Sequence, residues 1–281
     1  MGLGKTIRLA RLFSHPSGRF CSVAVDHFVN YREGLPAGLR SLRQTLAAVM
    51  AGGPDAVTMG KGVASALWPP YAGQAPLIVQ TMAARPDDTA CEQMASVAEV
   101  VRLGADAVAT AAFIKGPTEA EHLRHIARIV AEAEPYDLPV IAHIYPRVIS
   151  GDGRTPDFRH GASVSHTADD VAWAVHSALE LGVDVAKVPY CGEVAAFSDI
   201  VRDSPLPVVV AGGPKAASLA LALACIADAM LAGARGATIG RNIWGHPRMT
   251  AALVAHKAVI HDGLTPAEAL ARAGLREESA D

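Results

Sequence analysis

The sequence predicts a single (β/α)8 barrel (TIM barrel), because short strand-like segments alternate with helical patterns along nearly the whole chain. The strand segments are apolar on both faces, which is typical of parallel strands covered by helices. An open doubly wound sheet is the alternative, but the units are similar in length and no GxGxxG turn follows the first strand. We therefore expect one domain over residues 1–281, with an N-terminal segment at 1–19 and a C-terminal helix and tail at 264–281.

Each predicted strand is a short apolar run that is rich in β-branched residues or alanine. The runs recur at similar spacing. We therefore expect each strand to be joined to the next, which lies beside it, by a right-handed helical connection. The eight predicted strands are 21–26, 56–59, 76–82, 107–112, 139–144, 183–189, 207–211 and one that opens at 237–239.

The predicted helices lie between these strands. Gly104 and Gly182 indicate C-terminal ends, and Thr167 indicates an N-cap. Residues 151–165 form a long polar insertion after the fifth strand, which is either a lid on the catalytic face or a solvated loop without function. The predicted helices are 39–50, 91–103, 119–133, 167–181, 193–202, 215–231, 247–260 and 266–273.

The composition excludes several classes of partner. The formal net charge is −3 over 281 residues, with no dense cluster of Lys or Arg, which argues against nucleic-acid binding. The four cysteines are widely spaced, so we expect reduced thiols and a cytoplasmic protein. Residues 1–6 contain no export signal. The apolar run 216–234 carries Asp228 and many alanines, so we expect a buried helix and no membrane partner.

The carboxyl ends of the predicted strands carry the candidate functional residues. Chemistry in such a barrel takes place at these ends. The third strand ends at Gln80 or Met82, and the other ends bring a carboxylate, two lysines, a tyrosine and histidines to one rim. The candidate catalytic and substrate-binding residues are Asp26, His27, Lys61, His143, Tyr145, Arg147 and Lys187.

Lys187 stands inside the apolar run 183–189, where a protonated amine is costly, so we expect its pKa to be lowered. A neutral amine at a strand end can form a Schiff base with a carbonyl substrate. A lysine that reaches the strand end or pairs with a carboxylate is the structural alternative. A nearby Lys61 ammonium would lower the pKa of Lys187 further. Tyr145 can donate or accept a proton, and Asp26 can accept one.

Glycine-rich loops follow the seventh and eighth predicted strands. Gly212 and Gly213 lead into a helix, and Gly240 precedes Arg241. Loops at these two places in a barrel commonly bind phosphate through backbone N–H groups and a cation. Each glycine alone is equally compatible with a simple turn. Together the two loops predict a phosphorylated small-molecule substrate.

No metal site or cofactor is expected. The eleven histidines form neither an HxH nor an HExxH motif. His122 and His125 are three residues apart on a charged helix, and we expect both to be exposed to solvent.

The strand-end motifs resemble those of the class I, Schiff-base aldolases of the archaeal fructose-bisphosphate aldolase type, the DeoC/LacD-like group. That group also includes the autoinducer-processing phosphopentanedione thiolase and the aminodideoxyheptulosonate synthases. The motifs span nearly the whole barrel in the same order. They are VDH at 25–27, KG at 61–62, HIYPR at 143–147, AKVPY at 186–190, GGPK at 212–215 and GRNIW at 240–244.

The resemblance implies roles for individual residues. Lys187 would form the Schiff base, Tyr145 would be the general acid and base for carbon–carbon cleavage, and Asp26 would assist carbinolamine dehydration. Gly213, Gly240 and Arg241 would bind the substrate phosphate. The resemblance also implies a homo-oligomer in the form of a large ring, often a decamer.

The sequence departs from the family pattern at the substrate end. Gly60 stands where histidine is common, His143 stands where tryptophan often occurs, and Val148 stands where glycine is expected. The residues after VDH, 28–31, also differ. These departures count against fructose bisphosphate itself as the substrate, because they are compatible with a different aldehyde.

Three functions remain open from the sequence. The first is a class I aldolase acting on a phosphorylated ketose, or on dihydroxyacetone phosphate and an aldehyde. The second keeps the lysine but transfers an acyl or aldol group to a second acceptor. The third is a non-catalytic barrel that binds a phosphorylated metabolite through Gly213 and Arg241.

Overall fold

A computed structural model describes residues 2–27, 35–148 and 164–276. Within these ranges the strands are β1 (Phe20–Ala24), β2 (Ala56–Gly60), β3 (Leu77–Gln80), β4 (Met82–Ala84), β5 (Cys91–Gln93), β6 (Ala107–Ile114), β7 (Val140–Pro146), β8 (Val185–Val188), β9 (Val208–Ala211) and β10 (Gly236–Ile239).

Helices follow most of the strands, and three short 3-10 turns lie at Ala37–Leu39, Pro69–Tyr71 and Glu134–Tyr136. The α-helices are α1 (Leu3–Leu12), α2 (Leu42–Ala51), α3 (Lys61–Leu67), α4 (Val97–Arg102), α5 (Glu119–Ala133), α6 (Ala168–Glu180), α7 (Val194–Asp203), α8 (Leu219–Leu231), α9 (Arg241–Trp244), α10 (Met249–Asp262) and α11 (Pro266–Arg272).

Eight of the strands close into a parallel barrel in the order β1-β10-β9-β8-β7-β6-β3-β2. β1 closes the barrel by pairing with β10, from Phe20↔Gly236 to Val23↔Ile239. Each of the eight predicted strands overlaps one of these barrel strands. The predicted (β/α)8 barrel is therefore confirmed.

Side chains alternate along each strand between the barrel interior and the surrounding helices. Phe20, Ile141, Val185 and Val209 point inward and form one apolar core with Leu12 of α1, which closes the amino-terminal end of the barrel. The alternate positions pack beneath the helices in a second, larger core. Whether a strand residue points into the barrel therefore depends on its place in this alternation, which we call its parity.

The predicted helix over 91–103 is wrong in its first part. β4 and β5 form an antiparallel hairpin, with Met82 opposite Gln93 and Ala84 opposite Cys91. The helix begins only at Val97, after Ser96, whose side chain accepts a hydrogen bond from the Glu99 N–H in a capping box. The hairpin forms because two segments on either side of a turn pair with each other. The helical periodicity of residues 91–103 carries no information about that pairing.

Three α-helices were not predicted from the sequence, and the short α9 that follows β10 is one of them. α3 directly follows β2, and α1 covers the amino-terminal end of the barrel. Lys5 of α1 is buried and forms ion pairs with Asp184 at 3.2 Å and Glu134 at 3.3 Å. These contacts attach α1 to the segments that precede β7 and β8.

The predicted insertion 151–165 lies almost entirely outside the described residues. The lid hypothesis therefore concerns residues that the structure does not describe. Of this segment, Val164 pairs with Arg147, and Ser165 donates to Asp170 Oδ2 at 2.5 Å. Among the helices of the described part, none is long and apolar enough to cross a membrane.

Candidate active site

Lys187 lies inside the carboxyl-terminal half of the barrel. It is two residues after Val185, which belongs to the interior core, so its side chain also points inward. Lys187 as a whole is only 5% exposed. In the sheet register it pairs with His143 of β7 on one side and with Val209 of β9 on the other. The strand therefore delivers an amine to the barrel interior beside an imidazole.

A hydrogen-bonded group of polar side chains surrounds this position. Gln80, the last residue of β3, has its Nε2 3.3 Å from Asp26 Oδ2 and 3.4 Å from His143 Nδ1. Gln80 and His143 are both buried, and the Asp26 side chain is only 9% exposed. A glutamine amide thus joins the carboxylate that follows β1 to the imidazole of β7.

His27 lies against the same group. Its Nδ1 is 3.5 Å from Asp26 Oδ1, and its ring meets the edge of the Trp244 indole at a centroid separation of 5.3 Å. Trp244 in turn donates from Nε1 to the Ala24 carbonyl at 3.1 Å. The start of the β1–α2 connection is thereby held against α9.

Burial and neighbouring cations keep both site histidines neutral. Burial lowers the pKa of His27 to about 4, with Lys187 and Arg241 adding to the effect and Asp26 opposing it. Burial, Lys187 and His27 together hold the pKa of His143 well below its ordinary value. At neutral pH the two imidazoles can donate or accept a hydrogen bond at the site but carry no charge.

Tyr145 follows His143 by two residues on β7 and therefore projects to the same face. Its ring is half-buried and stacks on Phe113 of β6, with centroids 5.5 Å apart. Met82 of the hairpin belongs to the same apolar cluster. The β4–β5 hairpin thus supports the tyrosine from one side.

The loops after β9 and β10 form one connected structure. Arg241 donates from Nε to the Gly213 carbonyl at 3.1 Å. Asn242 donates from Nδ2 to the carbonyls of Gly212 at 2.7 Å and Pro214 at 3.0 Å, and its Oδ1 accepts the Ala216 N–H at 2.9 Å. Among the described residues, no group hydrogen-bonds Nη1 or Nη2 of Arg241, so the fork of the guanidinium is available to an anion.

The three glycines of the expected phosphate site differ in their surroundings. A Cβ on Gly240 would lie 2.5 Å from His27 Cε1, and one on Gly212 would lie 2.9 Å from the Ile239 Cα. These two glycines make room for neighbouring protein atoms. Gly213 has a φ of +69° and open space around its missing side chain, so among the three it alone leaves its backbone open to a ligand.

Lys61 points away from the barrel interior. β2 ends at Gly60 and Lys61 is the first residue of α3, so the side-chain alternation of the strand does not extend to it. Its Nζ donates to Glu99 Oε1 at 2.7 Å. The hydrogen bonds from Lys61 and from the Ser96 backbone lower the pKa of Glu99 to about 2. The structure therefore pairs Lys61 with a carboxylate of the helix layer and does not bring it next to Lys187 by any described contact.

Arg147 is fully buried and bound to the protein itself. Its Nη2 donates to the Phe113 carbonyl at 2.7 Å and to Thr118 Oγ1 at 2.8 Å, and its Nη1 donates to Asp88 Oδ2 at 2.7 Å and to the Pro86 carbonyl. These bonds take the place of the substrate contact that the sequence predicted. Arg147 ties the end of β7 to the β4–β5 connection.

His122 corrects another expectation, since its side chain is fully buried and not exposed. Its Nε2 is 3.1 Å from Asp88 Oδ1, and its Nδ1 is 3.5 Å from Cys91 Sγ. The periodicity of α5 did not reveal this face because the β4–β5 hairpin that covers it was not predicted. Within the described ranges, no three His, Cys, Asp or Glu residues are grouped to hold a metal ion.

Gln80 and Asn242 are polar site residues to which the sequence gave no role, although Gln80 was predicted at a strand end and Asn242 lies in the GRNIW motif. Both are buried amides at barrel strand ends. Gln80 shares the parity of Ile78, an interior residue, which is the signal that places its side chain in the barrel. No comparable local signal exists for Asn242, because its partners are carbonyls of a different loop.

Comparison with known proteins gives a consistent result. Residues 20–246 match the sequence profile of the DeoC/LacD family aldolases. The chain is 34% identical over 275 residues to a 2-amino-3,7-dideoxy-D-threo-hept-6-ulosonate synthase of Halobacterium salinarum, covering 97% of both chains. It is 31% identical over 273 residues to a 2-amino-4,5-dihydroxy-6-oxo-7-(phosphonooxy)heptanoate synthase of Streptomyces griseus, covering 96% of this chain and 95% of that one.

A solved structure is similar as well. It is an archaeal fructose-1,6-bisphosphate aldolase with the catalytic lysine covalently bound to the carbinolamine intermediate of the substrate. The TM-score is 0.77 at 27% sequence identity, and the match covers 92% of this chain and 99% of that one. Sequence and fold therefore point to the same group of enzymes.

Proposed function

The chain belongs to the DeoC/LacD family of aldolases, and on that premise we propose that Lys187 is the amine that forms the Schiff base. The observation that carries the proposal is the placement of Lys187. It is buried, inward-facing and paired in register with His143, in a pocket that also holds Asp26 and His27. An amine in such a pocket is placed to attack the carbonyl carbon of a bound substrate.

The proposed reaction proceeds through the lysine nitrogen. Its lone pair attacks the ketone carbon, and the ketone oxygen takes a proton to give a carbinolamine. Loss of that oxygen as water gives an iminium, and loss of a proton from the adjacent carbon gives an enamine. The enamine carbon then attacks the aldehyde carbon, whose oxygen takes a proton. Water finally hydrolyses the iminium and releases the product and Lys187.

Tyr145 and Asp26 are the proposed proton carriers. Tyr145 exchanges a proton with the oxygen of the aldehyde carbon, and Asp26 assists the loss of water from the carbinolamine. Both side chains lie at the carboxyl ends of barrel strands, where the fold places reacting groups. His27 and His143, kept neutral by burial, are proposed to hydrogen-bond substrate oxygens. Lys61 is at most a charge at the edge of the site, since Glu99 already pairs with it.

We propose that the substrate carries a phosphate that binds between Gly213 and Arg241. The open backbone of Gly213 and the unoccupied fork of Arg241 support this. Gly212 and Gly240 act indirectly, because their missing side chains let Ile239 and His27 approach.

The relatives favour an amino acid aldehyde as the second substrate. The Streptomyces product name describes a seven-carbon chain with a 6-oxo and a 7-phosphonooxy group. Breaking the bond between its two hydroxyl-bearing carbons, as a retro-aldol reaction does, gives dihydroxyacetone phosphate and 2-amino-4-oxobutanoate. We propose that this chain joins a phosphorylated or deoxygenated ketone of that kind to such an aldehyde. Reversible cleavage of fructose 1,6-bisphosphate is the second candidate, supported by the structural likeness.

Borohydride trapping tests the proposal. The protein is incubated with dihydroxyacetone phosphate or fructose 1,6-bisphosphate, reduced with sodium borohydride and measured by intact mass, and the adduct is mapped to a peptide. We expect one adduct on Lys187 and none in Lys187→Met. Lys257→Met is the matched control and should leave trapping unchanged, because Lys257 hydrogen-bonds the Gly53 carbonyl, which precedes β2 at the amino-terminal end of the barrel.

The outcome also separates the alternatives. An adduct that persists in Lys187→Met contradicts the assignment of the lysine. Turnover only with a second acceptor such as coenzyme A indicates group transfer. A wild-type protein without turnover, together with Lys187→Met that keeps full phosphate affinity, indicates the non-catalytic barrel. Product formation with 2-amino-4-oxobutanoate, but no cleavage of fructose 1,6-bisphosphate, supports the amino acid product.

We further propose a cytoplasmic homo-oligomer, in the ring form that the resemblance implies. All four cysteines are free thiols, which supports a reducing compartment. Exposed apolar residues on the helix layer, such as Trp173, Leu221 and Leu231, offer contact area for a second copy. Sedimentation equilibrium decides the oligomeric state, and a monomer at micromolar concentration contradicts the ring.

A further inference from the structure

Gln80 stands at the centre of the polar group in the barrel, although its side chain has no proton to exchange. It ends β3, is 6% exposed and shares the inward parity of Ile78. Its backbone pairs with Gly60 of β2 and with Ala109 of β6. The position is therefore fixed by the sheet on both sides.

The hydrogen bond at one end of the Gln80 side-chain amide identifies the atom at the other end. The Met82 backbone N–H, which can only donate, lies 3.1 Å from Gln80 Oε1. The oxygen is thereby assigned, and the remaining atom is the nitrogen Nε2, which carries two hydrogens and can only donate. The short β3–β4 connection supplies this anchor.

The two N–H groups have two acceptors. Asp26 Oδ2 lies 3.3 Å from Nε2, and His143 Nδ1 lies 3.4 Å from it. Because Nε2 cannot accept, Nδ1 of His143 must offer its lone pair, and a neutral ring then carries its proton on Nε2. Among the described residues, no protein group hydrogen-bonds that second ring nitrogen.

We infer that Gln80 is a positioning residue for the aldol reaction, which orients the Asp26 carboxylate with one N–H and fixes His143 as the Nε2–H tautomer with the other. The inference rests on the proposed function, because it assigns His143 the task of donating an N–H to a substrate oxygen. The Gln80 amide thus orients the Asp26 carboxylate and determines which nitrogen of His143 donates a hydrogen bond and which accepts one. The depressed pKa of His143 agrees, since a neutral ring is what the amide requires.

Gln80→Met tests this inference, because methionine keeps the length of the side chain and removes both N–H groups. The tautomer of His143 is measured by long-range proton–nitrogen NMR on nitrogen-labelled protein, with the signal assigned by its loss in His143→Gln. We expect the Nε2–H tautomer in the wild type and a mixture or the Nδ1–H tautomer in Gln80→Met. We also expect kcat to fall about ten- to a hundredfold through misorientation, with little change in KM. Gln74→Met, which removes an exposed amide, is the matched control and should alter neither readout.

Gln80→Glu is the second variant and keeps the test valid if Gln80→Met folds poorly. A carboxylate at this position favours the imidazolium, so the pKa of His143 should rise against the opposing effects of burial, Lys187 and His27. The acid limb of the pH–rate profile should then move to higher pH.

Two results overturn the inference. One is a wild-type His143 that carries its proton on Nδ1 or on both nitrogens. The other is a folded Gln80→Met whose His143 signal and kcat both equal those of the wild type. Failure of Lys187 to trap substrate would instead contradict the proposed function, and the NMR readout, which needs no turnover, separates the two failures.

Discussion

Lys61 and Lys187 show that the exact end of a strand decides where a side chain lies. The sequence predicted Lys187 within the strand 183–189 and Lys61 just beyond the strand 56–59, and it placed both on one rim. In the structure Lys187 points into the barrel, whereas Lys61 points into the helix layer and pairs with Glu99. Lys187 lies within β8 and shares the inward direction of Val185, whereas β2 ends at Gly60 and Lys61 begins α3. The proximity of the two amines, and any mutual effect on pKa, stays a prediction without a supporting contact.

Gly240→Ala tests the close approach of His27. The new Cβ would lie 2.5 Å from His27 Cε1 and 3.1 Å from the Ala24 carbonyl oxygen, so the imidazole must move. We expect kcat/KM to fall about tenfold or more, because His27 lines the site. Gly62→Ala is the control. Its Cβ meets nothing within 4 Å, and alanine in a helix should be neutral or slightly stabilising. Equal activity of the two variants contradicts the role of Gly240.

His256 of α10 predicts an acid-sensitive core away from the site. Burial lowers its pKa to about 4, below the value near 6.5 of an unfolded chain. Its stabilising contribution is therefore complete above pH 6.5 and is lost as the pH falls toward 4. Between pH 7.5 and 5 we expect the wild type to lose about 2 kcal/mol more than His256→Leu in urea unfolding. The exposed His176→Leu should retain the wild-type pH dependence, and parallel curves for His256→Leu and wild type contradict the prediction.

The β4–β5 hairpin is the element that explains why Arg147 and His122 are buried. Asp88, in the connection between the two strands, contacts both side chains. Burial opposes ionisation of Asp88, but hydrogen bonds from Thr118, His122 and Arg147 outweigh it and lower its pKa. The sequence could not reveal this arrangement, because it joins residues about sixty positions apart.

A double-mutant cycle measures this connection. Asp88 has a φ of +57°, so asparagine is the replacement that tolerates its backbone. We expect Asp88→Asn to cost about 3 kcal/mol of unfolding free energy, since it leaves the buried Arg147 cation unpaired. The double variant with Arg147→Met should cost less than the sum of the two single variants. The exposed pair Asp199→Asn and Arg202→Met should show coupling below about 0.5 kcal/mol, and a similar value for the hairpin pair would refute the prediction.

Asn242 connects the loops after β9 and β10. Asn242→Asp removes two N–H donors to the Gly212 and Pro214 carbonyls and adds a negative charge beside the proposed phosphate position. We expect KM for the phosphorylated substrate to rise at least about tenfold, which corresponds to about 1.4 kcal/mol, while kcat changes less. Competition by inorganic phosphate should weaken in parallel. An unchanged KM would show that the loops do not shape the phosphate site.

At the scale of the whole molecule, the barrel could be predicted because its signals are local. Each strand is apolar along its own length, and the helix ends carry their own glycines and caps. α1 escaped prediction because its apolar face has a partner only once the strands have closed around it. That residues 1–281 form one domain stays a prediction.

Leu12→Ala tests the contribution of α1 to the closed barrel. Leu12 is 1% exposed and packs in the interior core beside Phe20, so its truncation should lower the unfolding free energy by about 2–5 kcal/mol. Leu3→Ala on the same helix is the control, because Leu3 is 75% exposed. Urea denaturation compares the two, and a loss below about 1 kcal/mol for Leu12→Ala would mean that α1 does not belong to the core.

The position of α1 imposes an order on biosynthesis. This helix is synthesised before every barrel strand, yet the surface that receives it includes Val185 and Val209 and is finished only when β1 meets β10. The nascent chain must therefore carry an unplaced amphipathic helix until β10 has been synthesised. α1 can pack into the barrel only after the last barrel strand has been synthesised. In a prematurely terminated chain α1 would therefore stay unburied and accessible to chaperones and proteases.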